Sequence, residues 1–474
     1  LDDPETFSFL LKSLKIDKIR AKQLKVHSFV KAEQYPGFKM PRSINGRVDF
    51  SKIIFGPLVK TVEKIVYNNP CFIKNVPVND RPQYITEKIS GPGKYIATDY
   101  TSYESSFGLQ LCVSVEYEIY RFVLNGFYAE LICKSFYMLN VCVFRFFTIK
   151  VLAKRMSGDM NTSLGNGVTN VIVIMHIMYT NFKFILIRIV VEGDDSLFEV
   201  PLGCVPTTEM FAQYGLIVKI EEHTRLSTAS FCGMVFDEVA LSNLVDPGRV
   251  LRRGGYIDNK FASAKNSTKM SLVRAYGFST YYQFHDCPVV SSFARMLLRV
   301  SRGVHVNKRM LNVHKFAESE VDSIPLTEER MFALYPPNRI SLGSREIVHS
   351  LYKYSYDDQI WCENYLDSIN TAQPLIMPVV VANSPQDSID YFHHCSAFVG
   401  DNPNHMEPPP RVNFRDLVDE LNGRFKAVTR LYSLPVLHEN DNDTVESTLS
   451  SATPYWNDLF HGIRERLELQ PAAA

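Results

Sequence analysis

Phe184-Ile-Leu-Ile-Arg-Ile-Val-Val191 is an apolar run that breaks at Glu192-Gly193-Asp194-Asp195 and resumes as Ser196-Leu-Phe-Glu-Val200. The pattern predicts two strands joined by a tight turn, with glycine supplying the backbone freedom a hairpin tip needs. Two adjacent carboxylates then sit at a strand end, an arrangement suited to hard divalent cations, which take oxygen ligands. Taken alone, Gly-Asp-Asp describes a solvated turn just as well. The tip gains meaning only with companions elsewhere in the chain.

Two companions exist. Lys94-Tyr-Ile-Ala-Thr-Asp99-Tyr-Thr-Ser-Tyr-Glu104-Ser-Ser-Phe107 reads as a short strand whose end presents Asp99, with Glu104 five residues on. Between the two acidic strands lies Arg155-Met-Ser157-Gly158-Asp-Met-Asn-Thr162-Ser-Leu-Gly165-Asn166, a loop of small and polar residues that opens into an apolar helix from about Val168. The order is strand with carboxylate, glycine loop with helix, and hairpin with carboxylates.

These segments resemble the palm motifs of viral RNA-directed RNA polymerases: Asp99 to Phe107 is similar to motif A, Ser157 to Asn166 to motif B, and Gly193-Asp194-Asp195 to motif C. The spelling Ser-Gly-Asp-Met-Asn-Thr-Ser-Leu-Gly-Asn is especially close to tombusvirus-like positive-strand RNA viruses. The resemblance covers roughly residues 26 to 240 well and the thumb expected after them only loosely. It implies template-directed RNA synthesis, with template RNA, product RNA and ribonucleoside triphosphates as partners.

Chemistry accounts for these residue types independently. Nucleotide addition is an in-line displacement at phosphorus, and two cations about 3.5–4 Å apart can stabilise the attacking hydroxyl and the leaving pyrophosphate together. Asp99 and Asp194 are distant in sequence, so only a sheet that sets their strand ends side by side can bring them to one ion pair. Mg2+ suits the role because it takes one or two carboxylates beside water and phosphates, with Mn2+ able to substitute. Asp195 is read as a supporting ligand or a nearby charge. Gly158 lets the loop lie against template or nucleotide, and Ser157, Thr162 and Asn166 offer donors and acceptors that in the related polymerases check the ribose 2′-hydroxyl. Ordinary helix capping explains the same residue types. The family commonly has aspartate where Glu104 stands, so the ribose check is expected to be arranged differently here.

The chain is formally neutral, yet Lys12 to Arg47 holds ten Lys or Arg residues against Asp17 and Glu33. Such a block within a balanced protein marks a local footprint for phosphates. Within it, Val30-Lys31-Ala-Glu33 and Lys39-Met-Pro-Arg42-Ser-Ile-Asn-Gly-Arg47 resemble motif F, which makes Lys31, Arg42 and Arg47 candidates for triphosphate contacts. A solvated basic face is the alternative. Phe211 to Lys219 resembles motif D, with Lys219 the candidate acid for departing pyrophosphate, and Ser230 to Phe236 resembles the motif E strand. A second basic stretch, residues 249 to 274, has seven cations against Asp258 and could hold backbone phosphates.

Length suggests about three domains. The expected class is α+β: a right-hand polymerase with an antiparallel-sheet palm, partial fingers and a mainly helical thumb. The expected boundaries are 1–94 for partial fingers with motif F, 95–240 for the palm with a fingers insertion at about 108–150, 241–400 for the thumb, and 401–474 for a C-terminal extension or tail. Pro336-Pro337 and Glu407-Pro-Pro-Pro410 mark breaks, and Glu439 to Ser451 reads as a mobile loop. The start at Leu1, close before motif F, suggests a piece of a longer replicase lacking its outer fingers.

Two apolar regions, Leu131 to Leu152 and Val168 to Val191, carry too many polar and charged residues for bilayer helices. Nine cysteines show no Cys-x-x-Cys pair, which favours reduced thiols. His393-His394-Cys395, Cys362 and His405 form only a weak zinc candidate. The expected setting is host cytoplasm at membrane-associated replication complexes, with other viral proteins and host membranes engaged through segments outside this chain. Two other readings remain open on the residues: a reverse transcriptase, and a non-catalytic RNA-binding replication protein with a polymerase-like palm.

Overall fold

The computed structural model describes residues 25–31 and 42–380, apart from interruptions at 137–138, 153, 186–187, 255–260, 262, 312–322, 338–339, 373–374, 376 and 378. The described residues all lie in one compact unit, Leu1–Phe392; the second unit, His393–Ala474, lies outside them. So do Lys39, most of the N-terminal basic block, the candidate zinc residues other than Cys362, the triple-proline segment and the Glu439–Ser451 stretch.

Among the described residues ten strands form three sheets. The central one has the order β6-β7-β3-β8 and is antiparallel throughout, built from β3 (Lys94–Tyr100), β6 (Ile189–Glu192), β7 (Asp195–Val200) and β8 (Val218–His223). Side chains alternate across a strand, and β3 uses both faces. Tyr95 and Ala97 join Val190 and Leu197 in a core cluster shared with Ile85, Phe236 and Phe278. On the other face Thr98 hydrogen-bonds Ser196, and Tyr100 reaches Asn170 on the helix Thr162–Phe182. Tyr95 to Thr98 are therefore buried on both faces, while Asp99 is exposed near the strand end.

The outer sheet has the order β2-β1-β4-β5: β1 (Val26–Val30), β2 (Ser43–Arg47), β4 (Leu139–Val143) and β5 (Thr148–Leu152). Only the β1–β4 pairing is parallel. The N-terminal segment thus joins chain from between motifs A and B. A small hairpin, β9 (Val235–Asp237) with β10 (Ser242–Leu244), follows. Beyond Leu244 the described chain is helical, including Asn266–Phe284, Val290–Val300, Leu342–Tyr352 and Tyr356–Ser368. Residues 285–289, with a positive φ at Val289, separate the first two of these. The last begins with a reciprocal cap between Ser355 and Asp358. Mixed helices and antiparallel sheet make the class α+β.

Two boundaries differ from the sequence reading. The motif B helix starts at Thr162, six residues before Val168. Its polar first turns are tolerated because their side chains find partners, as described below. The strand before Gly-Asp-Asp begins at Ile189, not Phe184, because the helix runs to Phe182 and Lys183 closes it in a left-handed conformation. Among the described residues no helix is long and apolar enough to cross a membrane.

Candidate active site

The Gly-Asp-Asp tip is a two-residue turn closed by the pair Glu192 and Asp195, with Gly193 at φ 65°. That conformation at the first central position is one that glycine adopts without strain. Register then places the carboxylates. Thr98 pairs with Ser196, so Asp99 lies across from Asp195, one step further along the ladder. Directly opposed residues on one face have Cβ atoms about 4.5–5.5 Å apart. On its other side Asp99 pairs with Lys219 of β8.

Electrostatics report the same convergence. Burial pushes the Asp194 carboxyl above its ordinary value; the charges of Glu104 and Asp99 add to this, and Arg42 opposes it. Asp195 is pushed up to about 7, first by burial, then by Asp194, with smaller contributions from Asp99 and Glu192. Glu192 runs the other way: burial raises it, but Arg81 at 2.9 Å and Lys74 at 3.0 Å outweigh burial and hold it low. Arg81 and Lys74 are therefore paired with Glu192 rather than with the two aspartates.

The donor set fits a hard cation: Asp99, Asp194 and Asp195 offer carboxylate oxygens where negative charge already accumulates. Among the described residues no three His, Cys, Asp or Glu side chains form a ready-made metal cluster. One or two carboxylates completed by water and phosphate are what Mg2+ takes.

Motif B docks on the outer sheet. Ser157 Oγ donates to the Ser43 carbonyl at 3.0 Å and accepts from the Asn45 amide at 3.2 Å. Gly158 N–H donates to the Asn45 carbonyl, also at 3.0 Å. A Cβ on Gly158 would stand 3.0 Å from that oxygen and 3.1 Å from Gly46 Cα, a tight fit, so glycine suits the close backbone approach to β2. Thr162 Oγ1 donates to the Met156 carbonyl at 2.8 Å, which closes the loop. Asn166 is buried; its Nδ2 donates to Glu104 at 3.3 Å while its Oδ1 has no hydrogen-bond partner.

A cavity of about 580 Å³ opens between these parts, lined by Lys31, Arg42, Glu104, Ser157, Lys154 and Arg155 among others. Its volume is within the range of small-molecule sites. The lining reaches Glu104 but not Asp99 or Asp194.

Arg47 departs from the expectation of a triphosphate contact. It is 2% exposed, paired with Asp159 at 2.9 Å, bonded to Asn140 at 2.7 Å and stacked over Phe136. A buried carboxylate needs a counter-charge, and Arg47 supplies it. Arg274 of the second basic stretch is likewise committed to the Leu298 carbonyl and Glu328. Lys219 is largely exposed and ion-paired with Glu221, whose hydrogen bond and charge raise its pKa.

Motifs D and E take shape as helix Thr208–Ala212, a turn at Gly215 and strand β8, then a tight turn at Cys232-Gly233 leading into β9. Reading the sequence missed Asn170, which bonds both motif A and motif C. Its spacing of four from Asn166 was the available signal, since such residues share a helix face. It also missed Arg155, whose buried ion pair with Glu116 packs over Gly165.

A family model described as viral RNA dependent RNA polymerase matches residues 113–341. Residues 113–341 are a viral RNA-dependent RNA polymerase domain. The match runs through motifs B and C and on to Ser341; motif A precedes it, so Asp99 is placed by strand pairing alone. No curated protein matches the polymerase. Its activity is RNA-directed RNA synthesis for a positive-strand virus, with RNA and ribonucleoside triphosphates as substrates.

Proposed function

We propose that this polymerase adds nucleotides by a two-cation mechanism in which Asp99 and Asp194 hold the ions and Asp195 supports them. The observation that carries this is the β3–β7 register, which sets Asp99 beside the Gly-Asp-Asp turn. Mg2+ bound there would stabilise the charge that develops on the attacking and leaving oxygens. The protein's own residues do the positioning. Lys31 and Arg42, on the cavity wall, would receive the triphosphate. Glu104 and Asn166 would read the ribose, Asn166 Oδ1 being a buried acceptor suited to a 2′-hydroxyl. Lys219, paired across from Asp99 and favouring its protonated form, would donate a proton to pyrophosphate.

In this reading the central sheet is the palm, the β2-β1-β4-β5 sheet belongs to the fingers, and the helices after Leu244 form the thumb. Replication at membrane-associated complexes in host cytoplasm, with other viral proteins, completes the proposal.

The test is incorporation of ribonucleotides on an RNA template with Mg2+. Asp194→Asn is expected to abolish incorporation while RNA binding survives. Retained incorporation in that variant would overturn the assignment.

A further inference from the structure

Asn170 sits eight residues into the helix Thr162–Phe182 and is fully buried. Its Nδ2 donates to the Asp194 carbonyl at 2.9 Å and to the Gly193 carbonyl at 3.4 Å. Its Oδ1 accepts from the Tyr100 hydroxyl at 3.0 Å. Tyr100 follows Asp99 directly in the chain. One side chain therefore joins the backbone that carries Asp194 to the residue beside Asp99.

The helix lies close to the turn there. A Cβ on Gly167 would lie 3.6 Å from the Gly193 amide nitrogen, in ordinary contact, and 3.3 Å from the Phe72 ring, so the helix backbone runs directly against the turn. Asn170, almost one helical turn later, then reaches the turn's two carbonyls. An amide suits this position, since it offers two N–H groups and an acceptor together. Leucine or alanine would leave two partly buried carbonyls and a buried hydroxyl without these partners, which is costly.

We infer that Asn170 is a positioning residue that fixes the separation of the Asp99 and Asp194 carboxylates, and thereby the affinity of the polymerase for its divalent cations. The inference rests on the two-cation reading above. Partners that orient metal ligands typically change metal affinity about 10–100-fold when removed. Tyr100 supplies a gentler perturbation. Its ring packs against Tyr103 with centroids 4.4 Å apart and against Phe211, so Tyr100→Phe keeps the packing and removes only the hydroxyl.

The experiment compares the parent, Asn170→Ala, Tyr100→Phe, the double variant and Asp194→Asn. Two quantities are read: Mn2+ affinity by electron paramagnetic resonance without turnover, and the Mg2+ concentration giving half-maximal ribonucleotide incorporation. In Asn170→Ala both are expected to move to higher metal by about tenfold, while the KM for nucleotide at saturating Mg2+ changes little. Tyr100→Phe should give a smaller shift that adds nothing to Asn170→Ala. A merely structural role would lower the amount of active protein and leave both midpoints in place, and that result overturns the inference, as would unchanged midpoints in Tyr100→Phe if Asn170→Ala does not fold. If Asp194→Asn still incorporates nucleotides, the two-cation reading itself fails.

Discussion

Asn166 Nδ2 donates to the Glu104 carboxylate at 3.3 Å, joining the turn after β3 to the first turns of the helix Thr162–Phe182. The glutamate side chain thus reaches the asparagine from the segment that follows β3.

From this contact we expect Asn166→Ala to relax sugar selection. Hydrogen bonds to charged groups contribute about 1.5–3 kcal/mol, so the preference for ribonucleotides over deoxyribonucleotides should fall by about one to two orders of magnitude. Glu104→Gln keeps the length and loses the charge, and should weaken selection less. Single-nucleotide incorporation with paired ribo- and deoxyribonucleotides measures both; unchanged ratios would remove Asn166 from the ribose check.

Arg47 and the cavity cations should separate cleanly. Breaking a buried ion pair from one side costs about 3–5 kcal/mol. Arg47→Ala strands Asp159, whose carboxyl is already raised by burial against the pull of Arg47. Its expected signature is a large fall in melting temperature. Lys31→Ala and Arg42→Ala, at the cavity wall, should instead raise the KM for nucleotide with little change in melting. A KM effect without destabilisation in Arg47→Ala would restore it as a triphosphate contact.

The pH dependence follows from Asp195. A carboxyl raised on folding, here to about 7, binds its proton more tightly in the folded state. Its contribution to stability is therefore complete below the ordinary carboxylate range and is lost as pH rises through about 7. Glu192, held low by Arg81 and Lys74 against burial, works in the opposite sense. Comparing the parent with Asp195→Asn isolates the first effect. Without metal, at about pH 8, Asp195→Asn should melt higher than the parent, and the gap should close toward about pH 4. Mg2+ should weaken as pH falls through about 7, because the proton and the cation compete. Equal melting curves at every pH would contradict this.

Gly158→Ala would push a methyl group into the Asn45 and Gly46 backbone. Overpacking of this kind costs about 1–3 kcal/mol, and the loop is its cheapest outlet. We expect the motif B loop to leave β2, detected as faster amide exchange at Gly158, with incorporation reduced several-fold. An unaltered exchange rate would show that the loop has room to spare.

How much could be read without coordinates differs residue by residue. Asp99, Asp194 and the Ser157–Asn166 loop were legible because local pattern carries them: a strand ends, a glycine turns, a carboxylate follows. Gly215 and Lys219 fell into place similarly, as helix, stop and strand. Arg47 was misjudged because charge in a sequence does not say what lies opposite, and Asp159, distant in the chain, turned out to be its partner. The early start of the motif B helix was missed because Thr162, Asn166 and Asn170 look like poor interior residues until Met156, Glu104 and Asp194 are placed beside them.

The sequence by itself determined the chemistry this protein can perform, since which side chains end which strands is a matter of short-range spacing and backbone preference. Only the tertiary structure decided which of those groups meet. Register between β3 and β7 brings two carboxylates to one place, and burial decides that Arg47 holds the fold together while Lys31 and Arg42 line a cavity. Those outcomes depend on contacts between segments about a hundred residues apart, where free energy comes from packing and charge pairing that no local pattern encodes.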